Sequence, residues 1–134
     1  MAKIVEIEGI GPVLGGKLLK AGIKTVEALL KQGASKSGRK KLSDATGISE
    51  SQILEFVNMA DLMRISGIGP EFAELLEAAG VDTIKELRTR NAENLHQKLV
   101  EVNKAKKLTR RVPSLGMVKD FIKKANAITP AVTY

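Results

Sequence analysis

The chain contains no cysteine and no tryptophan, and aromatic residues make up only 3% of it. Without thiols there is neither a disulfide framework nor a thiolate metal site. Phe56, Phe72, Phe121 and Tyr134 are the whole aromatic set. The core must therefore be aliphatic, and stacking platforms for single-stranded nucleic acid are poorly supplied, the more so because the three Phe fall on expected core faces. No apolar run approaches the roughly 18 residues of a membrane span, and Lys3, Glu6 and Glu8 charge the first nine positions. Neither a transmembrane helix nor a secretory leader is read, so the expectation is a cytoplasmic protein with no membrane partner.

Chemistry-bearing groups are equally sparse. His96, the single histidine, sits mid-helix beside Gln97, where a packing or solvent-facing role is the ordinary one. There is no phosphate-loop motif and no Cys/His ligand set. No catalytic residue, metal, cofactor or small-molecule substrate is assigned, and the chain is expected not to be an enzyme.

Basic charge is what the chain does have. Lys and Arg number 22 against 15 Asp and Glu, for a net +7 over 134 residues. Residues 85–124 hold 12 of the basic side chains and 4 of the acidic ones, which leaves the first 84 residues close to neutral. Such asymmetry points to a polyanionic partner, with nucleic acid the first candidate. The bland alternative is a solvated lysine face.

The chain also repeats itself. Ile7-Glu8-Gly9-Ile10-Gly11-Pro12 returns 58 residues later as Ile65-Ser66-Gly67-Ile68-Gly69-Pro70, and Ala21-Gly22-Ile23 returns as Ala79-Gly80-Val81. Self-similarity at a fixed offset indicates a duplicated supersecondary unit. Two glycines around one aliphatic residue suit a tight, partly left-handed turn. Pro12 and Pro70 suit the first position of a helix. The isoleucine is expected inside, with the remaining amides outward at a helix N-terminus, where they can receive an anion such as phosphate.

Gly-Ile-Gly-Pro, a short helix, Ala-Gly-Ile and Thr25-Val26-Glu27-Ala28-Leu29 resemble the helix-hairpin-helix motif. The likeness extends to the amino-terminal DNA-binding domain of RecA-like recombinases, which also carry a turn like Thr46-Gly47-Ile48-Ser49 before a last helix. The tandem arrangement resembles a family of small, uncharacterised bacterial proteins with two such units. The resemblance covers roughly residues 4–127. It implies that hairpin amides hold a DNA backbone phosphate without reading sequence, which carries over to Gly9, Ile10 and Gly11 and, in the second copy, to Gly67, Ile68 and Gly69. Lys17 matches a lysine common after the hairpin in the recombinase-like family. Some helix-hairpin-helix proteins are glycosylases, and Lys17 with Asp44 is the one pair that could imitate their site, but the chain looks too short to build the pocket a flipped base requires.

The expected fold class is all-α: two tandem helix-hairpin-helix (SAM-like) units packed as one compact helical domain, with unit one over 1–62, unit two over 63–128 and a flexible tail over 129–134. Apolar spacing predicts helices over 13–21 and 26–32, then 39–46 after a flexible connector at Gly33–Gly38, and 50 to about 63. The last of these would join the two copies rigidly. Copy two repeats the plan with helices over 71–79, 92 to about 107 and from 115 onward, separated by a basic link at Lys107–Pro113. Thr25, Ser49, Thr83, Asn91 and Ser114 are expected N-caps. Leu42, Ala45, Leu54, Phe56, Val57, Met63, Val102, Ala105, Met117, Val118, Phe121 and Ile122 are among the residues expected inside.

The copies differ in charge. Lys17, Lys20 and Lys24 of copy one are replaced by Leu75, Ala78 and Asp82, and copy two adds Glu71, Glu74 and Glu77. Carboxylates in a first helical turn suit the helix dipole but repel a phosphate, so hairpin one is the better anion site. The expected function is a non-sequence-specific DNA-binding module, with Gly9, Ile10, Gly11, Lys17, Lys20, Gly67, Ile68, Gly69, Lys104, Lys106, Lys107, Arg110 and Arg111 on phosphates. The alternatives are a protein–protein adaptor, in which a protein partner uses the acidic copy two, and a structured-RNA binder.

Overall fold

The computed structural model describes residues 3–7 and 9–133; Met1, Ala2, Glu8 and the aromatic Tyr134 lie outside the described residues. Among the described residues eight α-helices follow a short 3-10 turn at Ile4–Glu6: α1 Pro12–Lys20, α2 Val26–Gly33, α3 Lys36–Thr46, α4 Glu50–Leu62, α5 Pro70–Ala78, α6 Ile84–Leu87, α7 Ala92–Lys106 and α8 Leu115–Ala127. The described residues contain no strand, only an isolated antiparallel bridge between Lys3 and Thr25. The fold is all-α. No helix among the described residues is long and apolar enough to cross a membrane.

The chain divides into two units, Met1–Asp61 with Ala131–Tyr134, and Leu62–Pro130. In the first, α2 packs on α3, and α1 on α3 and on the 3-10 turn. Its core is aliphatic: Ile4, Ile7, Leu18, Ile23, Leu29, Leu42 and Ile53 are buried, joined by Phe56. In the second, α7 packs on α5 and α8, and α8 on α6. Leu75, Leu76, Leu87, Leu99 and Val118 fill that core, and the Phe72 and Phe121 rings meet with centroids 6.3 Å apart.

Helix ends are written locally. Thr25, Thr83, Asn91 and Ser114 each accept an amide hydrogen bond three residues on, and Ser49 Oγ accepts from the Gln52 amide at 3.2 Å. The Glu86 carboxylate turns away from the Thr83 cap to pair with Arg90 Nη2 at 2.8 Å. Both short hairpin helices stop in the same way. Gly22 and Gly80 take φ of +89° and +93°, and the next amides, of Ile23 and Val81, reach back to Leu18 O and Leu76 O at 2.9 Å. This is the glycine-dependent Schellman closure.

Several sequence expectations are corrected. Gly33–Gly38 is not a flexible connector: α2 runs to Gly33 and α3 begins at Lys36, with Ser35 capping the Gly38 amide at 3.1 Å. The glycines are there for proximity, since a Cβ on Gly33 would stand 2.4 Å from Val57 Cγ2 and one on Gly38 would stand 2.0 Å from Gln32 O. Ala45, Ala105 and Met117 face solvent, and Leu54, Met63, Val102 and Ile122 are half-buried. On α3 and α4 the deeper places go to Thr46, Met59 and Leu62.

Residues 131–133 are not loose. Val132 is buried, the Thr133 amide donates to Ala34 O at 2.8 Å, and Arg39 Nη2 donates to Thr133 O at 2.6 Å. Arg39, the fourth residue of α3, is only 4% exposed despite its charge. Its Nη1 also serves Gly33 O and Ala34 O at 2.9 and 3.0 Å.

Candidate functional site

The two Gly-Ile-Gly-Pro turns are built alike. Gly9 and Gly67 adopt φ of +92° and +100°, a region in which a side chain is strained. A Cβ would also come within 3.2 Å of the Phe56 ring in one case and 3.1 Å of the Phe121 ring in the other. Ile10 and Ile68 are buried and anchor each turn to its own core. Their amides are not available to a ligand. Ile10 N–H donates to Ile7 O at 3.1 Å and Ile68 N–H to Ile65 O at 3.0 Å, closing the turn. Of the three amides read from the sequence, those of the flanking glycines remain: the N–H groups of Gly9 and Gly11, and of Gly67 and Gly69, donate to no other described residue, while Gly11 O and Gly69 O accept from the Gly15 and Ala73 amides.

Gly11 and Gly69 occupy the N-cap positions of α1 and α5 in extended backbone, each followed by proline. Every other α-helix is capped by a Ser, Thr or Asn side chain. A glycine cap offers no oxygen, so the first-turn amides of α1 and α5 receive no such bond. A helix start of this kind presents partial positive charge and N–H donors together. A Cβ on Gly11 or Gly69 would meet nothing within 4 Å, so the space in front of both cap residues is open.

The flanks of the two turns differ. Lys17 and Lys20 are exposed on α1, on the same face as Val13. Their counterparts on α5 are Leu75, fully buried, and half-buried Ala78, because α7 packs against α5 in the second unit. The helix after the second turn thus carries Glu71 in its first turn with Glu74 and Glu77 beyond it, whereas the helix after the first has no acidic residue in its first turn and lysines in its last.

The remaining expected contacts, Lys104, Lys106, Lys107, Arg110 and Arg111, are exposed in the second unit, around the end of α7 and the link after it. They make no ion pair among the described residues. Lys107 terminates α7 in the left-handed conformation, φ 52°. Asn103, which the sequence reading passed over, holds the link in place. Its Nδ2 donates to Thr109 O at 3.0 Å, and its Oδ1 accepts from Thr109 N at 2.9 Å.

Other basic side chains of the 85–124 stretch have work within the fold. Arg88 donates through Nε to Ala125 O at 2.8 Å and also bonds Ile128 O. Arg90 pairs with Glu86 and bonds Gly80 O, Lys119 lies 3.7 Å from Glu93, and Lys124 bridges Asp120 and Ser66 O.

Among the described residues no three His, Cys, Asp or Glu side chains stand together as metal ligands. Lys17 and Asp44 are both exposed, and no ion pair joins them. His96 is half-buried on α7.

The family model described as a domain of unknown function, DUF4332, matches residues 8–128. The chain belongs to that family. The DUF4332 match takes in both Gly-Ile-Gly-Pro turns and all eight helices. No curated protein and no solved structure matches the chain.

Proposed function

We propose that the chain is a non-sequence-specific DNA-binding module made of two tandem helix-hairpin-helix units, in which the first hairpin clamps a backbone phosphate. The observation that carries this reading is the pair of uncapped helix starts. Among the described residues α1 and α5 alone of the α-helices begin at a glycine with no side-chain cap, and of the two only α1 carries exposed lysines, Lys17 and Lys20 in its last turn. The anion would be received by the Gly9 and Gly11 amides and the first turn of α1, with Lys17 and Lys20 adding charge. Lys104, Lys106, Lys107, Arg110 and Arg111 provide a second basic surface. Phosphate contacts hold a protein on a duplex without specifying sequence. The second hairpin, with its lysine-equivalent positions filled by Leu75 and Ala78, is assigned a structural role. No catalytic step is part of this reading.

The test is fluorescence anisotropy with a short random-sequence duplex at low and physiological salt, using wild type and Gly11→Val. Gly11 has extended backbone and open space around a Cβ, so the substitution obstructs the anion and leaves the fold intact. Micromolar binding with a steep salt dependence, weakened about tenfold or more in the variant, is the expected result. Binding indifferent to the variant removes the hairpin from the interface, and no binding at low salt ends the nucleic-acid reading. Equal displacement by duplex RNA reassigns the clamp to phosphates of either polymer.

A further inference from the structure

We propose that a groove on the first unit, beside α1, docks a short acidic peptide segment of a partner protein through aliphatic anchor residues. The groove has a volume of about 590 Å³ and is lined by Val5, Pro12, Gly15, Gly16 and Leu19, with Lys3 and Lys24 also contributing. Val5 and Leu19 are 52% and 54% exposed, two of only five large apolar side chains so exposed among the described residues. Apolar surface gathered in one concave place is characteristic of a binding surface, whereas singly scattered residues need no explanation.

The two consecutive glycines of α1 separate fold from function. Each weakens a helix by roughly 1 kcal/mol relative to Ala. Gly15 is needed for packing, since a Cβ there would stand 2.9 Å from Val5 Cγ1. Gly16 has no such reason: a Cβ there would meet nothing within 4 Å. Its missing side chain keeps the groove open. The duplicated unit acts as an internal control, because the groove residues Gly16, Leu19 and Lys24 are replaced there by Glu74, Glu77 and Asp82. One helical scaffold carries an apolar groove with lysines in one copy and three carboxylates at the matching positions of the other. Apolar lining with Lys3 and Lys24 is complementary to aliphatic side chains flanked by Asp or Glu, which sets the chemistry of the occupant. Gly15 and Leu19 lie on the side of α1 away from Lys17, and the peptide selection reads the groove without the duplex.

The experiment is selection of a displayed library of random peptides about four helical turns long on the full chain, with Gly16→Glu and Leu19→Glu in parallel. Both variants copy residues found at the same places in the second unit, and circular dichroism checks that they fold. Expected are peptides enriched on wild type alone, sharing aliphatic residues flanked by Asp or Glu. A synthetic representative should move the amide resonances of Val5, Gly15, Gly16 and Leu19 and bind Gly16→Glu about tenfold or more weakly. Four results would overturn the proposal: no enrichment on wild type, equal enrichment on the variants, a basic consensus, or shifts away from these four residues. Sedimentation showing self-association of wild type but not of Leu19→Glu would also overturn it, assigning the groove to a second copy.

Discussion

A methyl group added at residue 9 and a hydroxymethyl group added at residue 11 should have opposite consequences. Gly9 sits at φ +92° with the Phe56 ring 3.2 Å from a would-be Cβ. Gly9→Ala is expected to lose about 1–2 kcal/mol, the ordinary cost of a left-handed L-residue, read as a lower urea midpoint. Gly67→Ala should behave alike, for its own contact with Phe121. Gly11 has extended backbone and empty space, so a side chain fits. Gly11→Ser supplies the missing cap and should raise stability by a few tenths of a kcal/mol. It also fills the opening where the phosphate is proposed to sit, so duplex affinity should fall while the melting temperature rises. Gly69→Ser should stabilise equally and leave affinity nearly unchanged; an equal affinity loss would make the second hairpin a phosphate site too.

Packing of elements turns on a few residues whose role composition hides. Arg39→Met keeps the stem of the side chain but strips three carbonyls, Gly33 O, Ala34 O and Thr133 O, of their donor. A loss of about 2–4 kcal/mol is expected from equilibrium unfolding, with the far-ultraviolet spectrum retained. Asn103→Ala should release the basic link after α7 at a cost of about 1 kcal/mol, seen as faster amide exchange at Thr109. Caps, glycine stops and the duplicated turns were legible in the sequence because each is decided within a few residues. Gly33–Gly38 was misread because glycine and serine look alike in a loop and in a tight helix–helix approach; only Val57 and Gln32, across the contact, distinguish them. The burial of Arg39 was not legible because charge in a sequence does not reveal burial. The Ile10 amide was misassigned because its acceptor, Ile7 O, is fixed by the turn's closure. The apolar groove escaped notice since it exists only where the 3-10 turn meets α1.

At the scale of the whole molecule, basic side chains set against phosphates should govern how affinity responds to salt. If Lys104, Lys106 and Lys107 each neutralise one phosphate, replacing all three by Ala should reduce the slope of log affinity against log salt by about 2.7. Sequence preference should not change, because phosphate contacts carry none. An unchanged slope would show that these exposed lysines only solvate the end of α7. The all-α architecture was readable from periodicity and the absence of strand patterns. The place of residues 131–133 was not, since their partners Ala34 and Arg39 lie 99 and 94 positions away. That separation has a consequence for biosynthesis. The first unit is interrupted in sequence by all of the second, Leu62–Pro130. During translation Arg39 must wait for Thr133 while that intervening stretch is made, on the order of ten seconds at ordinary elongation rates. The half of the chain that leaves the ribosome first therefore receives its last hydrogen bonds only after Pro130 has been made, and protease sensitivity around Ala34 and Arg39 in nascent chains should persist until residues 131–133 are added.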